Sequence, residues 1–127
     1  MTSTIPSQFK LTRANFSRCG SLVSTPLTKG VSVILFYMPN CRFCESFAPE
    51  FLRLPSKGIP IGAVDMSAQT NNALISMASQ FPFQINGYPT ILIYKEGSPC
   101  TWYIGARDIE SIQQAVSNQS CTLKSTC

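Results

Sequence analysis

The sequence predicts an α/β domain, a mixed sheet of four to five strands flanked by helices. Three observations carry that prediction. The stretches Val31 to Phe36 and Ile59 to Met66 are apolar, rich in β-branched residues and scarcely alternate in polarity, as strands covered on both faces do. Between them lies a helical pattern with Phe47, Phe51, Leu52 and Leu54 as its apolar positions, so the two strands form a parallel βαβ unit. Further on, Ile91 to Tyr94 and Cys100 to Ile104 flank Lys95-Glu96-Gly97-Ser98, a turn sequence that reads as an antiparallel hairpin.

Each element has a local reason. Residues 1–7 are polar and read as a loose N-terminal segment, and Phe9 to Thr12 as a short edge strand. Thr12 or Asn15 suits the cap of a first helix with Phe16, Leu22 and Val23 facing inward. Thr25 to Gly30 is a linker broken by Pro26 and Gly30. Met38-Pro39-Asn40 ends the next strand, because proline cannot donate to a ladder and Asn40 suits a turn or cap. The following helix starts at Cys41, is expected to kink at Pro49 and ends before Pro55 and Gly58. Asn71 or Asn72 caps another helix with Leu74, Ile75, Met77 and Ala78 as its buried stripe, stopped by Phe81-Pro82-Phe83. Asp108 caps a last helix with Ile109, Ile112 and Val116 on one face. The expected organisation is a domain over residues 8–117 and a polar, cysteine-bearing tail over 118–127.

Composition excludes several function classes. A chain of 127 residues holds one domain with a core that needs no disulfide support. Hydrophobic residues make up 44% and charged residues only 13%, so the chain is globular, and the scarcity of charge hints at surface covered by a partner. The net charge of +4 comes from ten scattered Lys and Arg with no basic run, which argues against a nucleic-acid partner. The start lacks the apolar core of a signal peptide, and Val31 to Met38 is too short to span a bilayer. The expectation is a soluble protein without a membrane partner, cytoplasmic or packaged in a particle.

Six cysteines and no histidine narrow the chemistry further. Without histidine there is no Cys–His nucleophile and no mixed Cys/His zinc site. A single close pair, Cys41 and Cys44, falls short of an all-cysteine metal site, so no metal or other cofactor is expected. Redox chemistry survives the elimination. A helix N-terminus carries roughly half a positive charge, and that favours thiolate at Cys41.

With Cys41-x-x-Cys44 following the second strand and preceding Pro49, the chain resembles the thioredoxin fold. It is most similar to the thioredoxin-like domains of protein disulfide isomerases. The residues that carry the likeness are Leu11-Thr12 with Phe16, Leu35-Phe36-Tyr37, Gly87-Tyr88-Pro89-Thr90 with Gly97, and Tyr103-Ile104-Gly105-Ala106-Arg107. The resemblance implies the element order β-α-β-α-β-α-β-β-α and a thiol–disulfide oxidoreductase acting on protein thiols or disulfides. In that family Cys41 attacks and the buried Cys44 resolves. Pro89 takes the position of a cis-proline, Tyr88 and Thr90 flank a substrate groove, and Arg107 approaches the second cysteine.

Departures from the family pattern are informative as well. Arg42-Phe43 lies between the cysteines; a fixed charge at Arg42 stabilises the Cys41 thiolate and makes the disulfide more oxidising, while Phe43 offers apolar surface to a substrate or partner. The family's buried carboxylate is replaced by Leu35 and its accompanying lysine by Ala63, which puts turnover in doubt. Cys100 reads as a small strand hydrophobe; Cys121 and Cys127 are left to pair with each other, with a covalent or tight protein partner, or with the active site, or to stay free. Two rivals stand beside the enzyme: a non-catalytic scaffold in a larger assembly such as a virion, and a glutaredoxin-like protein using glutathione or an iron–sulfur cluster.

Overall fold

The computed structural model describes residues 5–77 and 81–123. Five strands, β1 (Lys10–Leu11), β2 (Val31–Tyr37), β3 (Ile61–Asp65), β4 (Thr90–Lys95) and β5 (Ser98–Trp102), form one sheet in the order β1-β3-β2-β4-β5. β3 runs parallel to both β1 and β2, and the β2–β4 and β4–β5 pairs are antiparallel. The sheet is therefore mixed, as expected, with β2 at its centre.

Three α-helices cover it: α1 (Arg42–Phe51), α2 (Asn72–Met77) and α3 (Ile109–Ser117). The strand period of two explains why β2 reads as unbroken apolar sequence. Val33, Leu35 and Tyr37 join Phe47 and Phe51 of α1 and Ile109 and Ile112 of α3 in one core layer. Ile34 and Phe36 join Phe16, Leu22, Leu74 of α2 and Phe83 in the other. Both faces are buried, so both sets must be apolar.

The hairpin turn is two residues long, Glu96 at φ 51° and Gly97 at φ 80°, a pair of left-handed conformations that matches the twist of the flanking strands. Its outer strand tolerates Pro99 because β5 lies at the sheet edge and the ladder shifts register between Ile93 and Tyr94. In the centre of β3, Gly62 is required for space: a Cβ there would stand 2.6 Å from Leu11 Cδ1 and 2.9 Å from Leu27 Cδ1.

Several expectations are corrected. Among the described residues no α-helix precedes β2; Arg13–Asn15 is a single 3-10 turn, and Phe16 pairs with Leu22 in an antiparallel bridge. Ser17 Oγ accepts from Cys19 N at 3.3 Å and Ser21 N at 3.2 Å, and Gly20 adopts φ 81°, so local side-chain bonds outcompete the helix. Phe16 and Leu22 are buried as expected, whereas Val23 is exposed. In α2 only Leu74 turns inward and Ile75 is 59% exposed; the side chains of Met77 and Ala78 lie outside the described residues. Asn71 is a brace between segments, its side chain accepting from Arg13 N at 2.9 Å and donating to Asp65 O at 2.9 Å. Pro49 lies inside α1 as expected and withdraws one donor from its ladder, but the helix ends at Phe51, and Leu54 and Pro55 belong to a separate 3-10 turn, Leu54–Lys57.

The tail is held as well. Cys100, buried in β5, forms a disulfide with Cys121 across 21 residues, so it is not a plain hydrophobe and Cys121 is not a free thiol. Thr122 N and Leu123 N both donate to Cys100 O, at 2.9 and 3.0 Å. Sequence spacing could not reveal this pairing, because it depends on α3 returning the chain beside β5.

Candidate active site

β2 delivers the chain to the sheet's end, and Cys41 N donates to Met38 O at 3.2 Å to turn it into α1. Cys41, not Asn40, is the N-cap of that helix, in extended conformation. Its Sγ accepts from Cys44 N at 3.1 Å, and its carbonyl accepts from Glu45 N at 3.0 Å. A sulfur therefore occupies the position where serine or aspartate usually satisfies the first helical N–H groups. One helical turn brings the Cys41 and Cys44 Cα atoms to 5.1 Å, and the two are joined by a disulfide. Cys41 is half-buried, while Cys44 is buried in the core layer with Phe47 and Leu35. The two sulfurs are therefore unequal in their access to solvent.

Beneath Cys44 the site is apolar. Leu35 is 1% exposed and lies in register with Ala63 on the neighbouring strand, so the two substituted positions face one another in the core. Burial, and then the nearby Asp65 carboxylate, push the Tyr37 hydroxyl up to about 12, so it stays protonated at neutral pH. A small cavity of about 20 Å³ is bounded by Leu35, Tyr37, Met38, Cys44, Glu45 and Ala48, among others.

The α3 end of the molecule contributes the next group. Asp108 caps α3 by accepting from Ser111 N at 2.8 Å and Ser111 Oγ at 3.0 Å, and these bonds lower its carboxyl below the ordinary range. Glu50 of α1 accepts from Ile109 N at 3.0 Å and so fixes the start of α3 against α1. The segment before Asp108 is stiffened by a hydrogen bond from the Tyr103 hydroxyl to Ala106 O. Arg107, held there, lays its guanidinium over the Phe43 ring at 5.6 Å from the centroid. The contact between these two expected site residues is with the residue between the cysteines. Phe43 itself is 60% exposed and Arg42 is exposed beside it.

Tyr88, Pro89 and Thr90 form the third part. The Tyr88–Pro89 bond is cis. Thr90 Oγ1 donates to Gly87 O at 2.6 Å, and Tyr88 packs against both core layers, including the one that contains Cys44. These three residues line an open groove of about 840 Å³, walled by Phe83, Trp102 and Ile104. Cys41, Cys44, Arg42, Phe43 and Arg107 are not among its lining residues.

Trp102 and Ile104 line the groove and Glu45 borders the small cavity, places the sequence does not signal. Ile104 is 89% exposed, and its one signal was its place inside the Tyr103 to Arg107 stretch. Trp102, the sole tryptophan, sits at the end of an edge strand. Glu45 carried only its position next to Cys44 in the first turn of α1.

Known proteins resemble this chain in sequence and fold. The thioredoxin family model matches residues 8–118. A mitochondrial thioredoxin domain-containing protein of Schizosaccharomyces pombe is 37% identical over 98 residues, covering 71% of this chain and 26% of that protein. Protein disulfide-isomerase 1 of Caenorhabditis elegans is 36% identical over 92 residues, covering 69% of this chain and 18% of its own length. The chain thus spans about a quarter or less of the curated relatives it matches. Human ERp44 form II superposes with TM-score 0.62 at 18% identity over 90% of this chain and 31% of ERp44, a likeness of fold. The first two thioredoxin domains of Naumovozyma dairenensis Eps1p give TM-score 0.62 at 22% identity, over 88% of this chain and 41% of theirs.

Proposed function

Because the chain belongs to the thioredoxin family, we propose that it exchanges thiols and disulfides with protein substrates through Cys41 and Cys44. The observation that carries this reading is the Cys41–Cys44 bond at the N-terminus of α1, with Cys44 N–H directed at Cys41 Sγ. In the reduced state the helix end, that hydrogen bond and the adjacent Arg42 all favour the Cys41 thiolate. The thiolate attacks a substrate disulfide, one substrate thiol leaves, and a mixed disulfide forms. Cys44 then attacks Cys41 Sγ, the second substrate thiol leaves, and the substrate has gained two electrons. Run backwards, the same steps oxidise a substrate dithiol.

The groove supports a role for Tyr88, Pro89 and Thr90 in holding an extended substrate segment, while the exposed Phe43 offers a separate apolar contact beside the cysteines. Arg107, through its stacking on Phe43, holds that ring in place and adds positive charge near the reacting sulfurs. The fixed charge of Arg42 favours an oxidase or isomerase over a reductase. The Cys100–Cys121 disulfide supports a setting oxidising enough to preserve it; among the described residues no helix is long and apolar enough to cross a membrane. Insulin reduction and refolding of a scrambled disulfide protein test the proposal. Catalysis by the wild type that vanishes in Cys41→Ser supports it, and a wild type no faster than that variant favours the scaffold reading.

A further inference from the structure

We propose that Glu45 is the proton acceptor for Cys44, acting through one water held in the cavity that both residues border. The inference deepens the oxidoreductase reading and rests on it. Cys44 is buried in an apolar layer, and burial of that kind disfavours a thiolate. It must nonetheless lose its proton before it attacks Cys41 Sγ, so an acceptor has to lie within reach.

The candidates can be taken element by element. On β2, Leu35 has no titrating group and Tyr37 is held protonated by its raised pKa. On β3, Ala63 faces Leu35, and neither Ala63 nor Asp65 borders the cavity. On α1, Glu50 is one and a half turns further along and does not border it either. Arg42 and Arg107 lie on the exposed side, where they favour anionic sulfur but accept no proton. Glu45 is the carboxylate that borders the cavity beside Cys44. It also stands in the first turn of α1, one residue after Cys44.

The cavity has the right size for the relay. Its volume of about 20 Å³ exceeds the roughly 10–15 Å³ that one water requires. In the mixed-disulfide state the Cys44 thiol gives its proton to this water, which passes one to the Glu45 carboxylate. The Cys44 thiolate forms the bond to Cys41 Sγ as the bond from Cys41 to the substrate sulfur breaks. The departing substrate thiolate is protonated from solvent, and Glu45 returns its proton to solvent.

The test separates the two chemical steps. A peptide disulfide carrying a different reporter on each half releases one half when Cys41 attacks and the other when Cys44 resolves. In Glu45→Gln the first release keeps its wild-type rate and the second slows by about a hundredfold. That deficit shrinks as pH rises and hydroxide removes the proton directly, and Glu45→Asp recovers most of the rate. Thermal unfolding of each variant checks that the fold is retained. A second release as fast in Glu45→Gln as in wild type at every pH overturns the inference while leaving the exchange reaction intact. Absence of the first release in wild type instead overturns the oxidoreductase reading.

Discussion

The molecule carries two disulfides whose residues are both described, and they differ in every respect except the bond itself. Cys41–Cys44 closes a three-residue step at a helix N-terminus, half open to solvent. Cys100–Cys121 closes a 21-residue loop that contains the whole of α3, with Cys100 buried in an edge strand. Reduction of the first releases little chain entropy and yields a thiolate that the helix end stabilises. Reduction of the second frees a long segment and exposes a buried cysteine to no compensating charge. The contrast teaches that a disulfide's role is set by what surrounds it: on the proposed function the local one breaks in each cycle and the long-range one persists.

The sharpest way to break the comparison is to remove one sulfur from each. Cys41→Ser is expected to reduce exchange with a protein disulfide to the uncatalysed background, measured by insulin reduction, while unfolding in urea stays close to that of the wild type with its Cys41–Cys44 bond reduced. The paired change Cys100→Ala with Cys121→Ala is expected to do the reverse: about 3 kcal/mol of stability is lost, as the closure of a loop of that length predicts. The exchange rate at a temperature where the variant is folded should stay within about twofold, less than the effect of a 1 kcal/mol change in barrier. Loss of exchange in the paired variant would erase the division between working and structural bonds.

A smaller effect sharpens the active-site half. Arg107→Ala removes the guanidinium from Phe43, a contact of about 0.5–1 kcal/mol at an exposed site. Exchange rates are then expected to fall by about two- to fivefold, with no change at the Cys100 end. A pH effect sharpens the same half of the molecule. Tyr37 has its folded-state pKa raised to about 12, so its contribution to stability is complete below the ordinary tyrosine value of about 10. It declines as pH climbs from there through the folded value, because the unfolded chain ionises first. Urea midpoints taken across that alkaline range should fall in wild type and fall less in Tyr37→Phe.

The elements that were legible from sequence share a short range. β2, the cysteine pair, α1 and the two-residue turn at Glu96-Gly97 are each decided within about a dozen residues by apolar runs, caps and turn chemistry. The segment from Asn15 to Leu22 misled because its apolar spacing suits a helix, while Ser17 and Gly20 bind the backbone into a bridge that finishes on Gly97, with Leu22 N donating to Gly97 O at 2.7 Å. Ile75 misled because, among the described side chains of α2, Leu74 alone is buried.

The sequence alone determined the strand-to-helix junction and the placing of Cys41 at the helix start, since both follow from residues adjacent in the chain; the structure made Cys41 rather than Asn40 the cap. Only the tertiary structure decided that Cys100 meets Cys121, that Arg107 covers Phe43, and that Glu45 and Cys44 share a cavity with Leu35. The first two join residues 21 and 64 positions apart, and the third depends on how α1 rests on the sheet. Contacts of that kind are fixed by how α1, α3 and the sheet pack, and no local pattern in the chain encodes them.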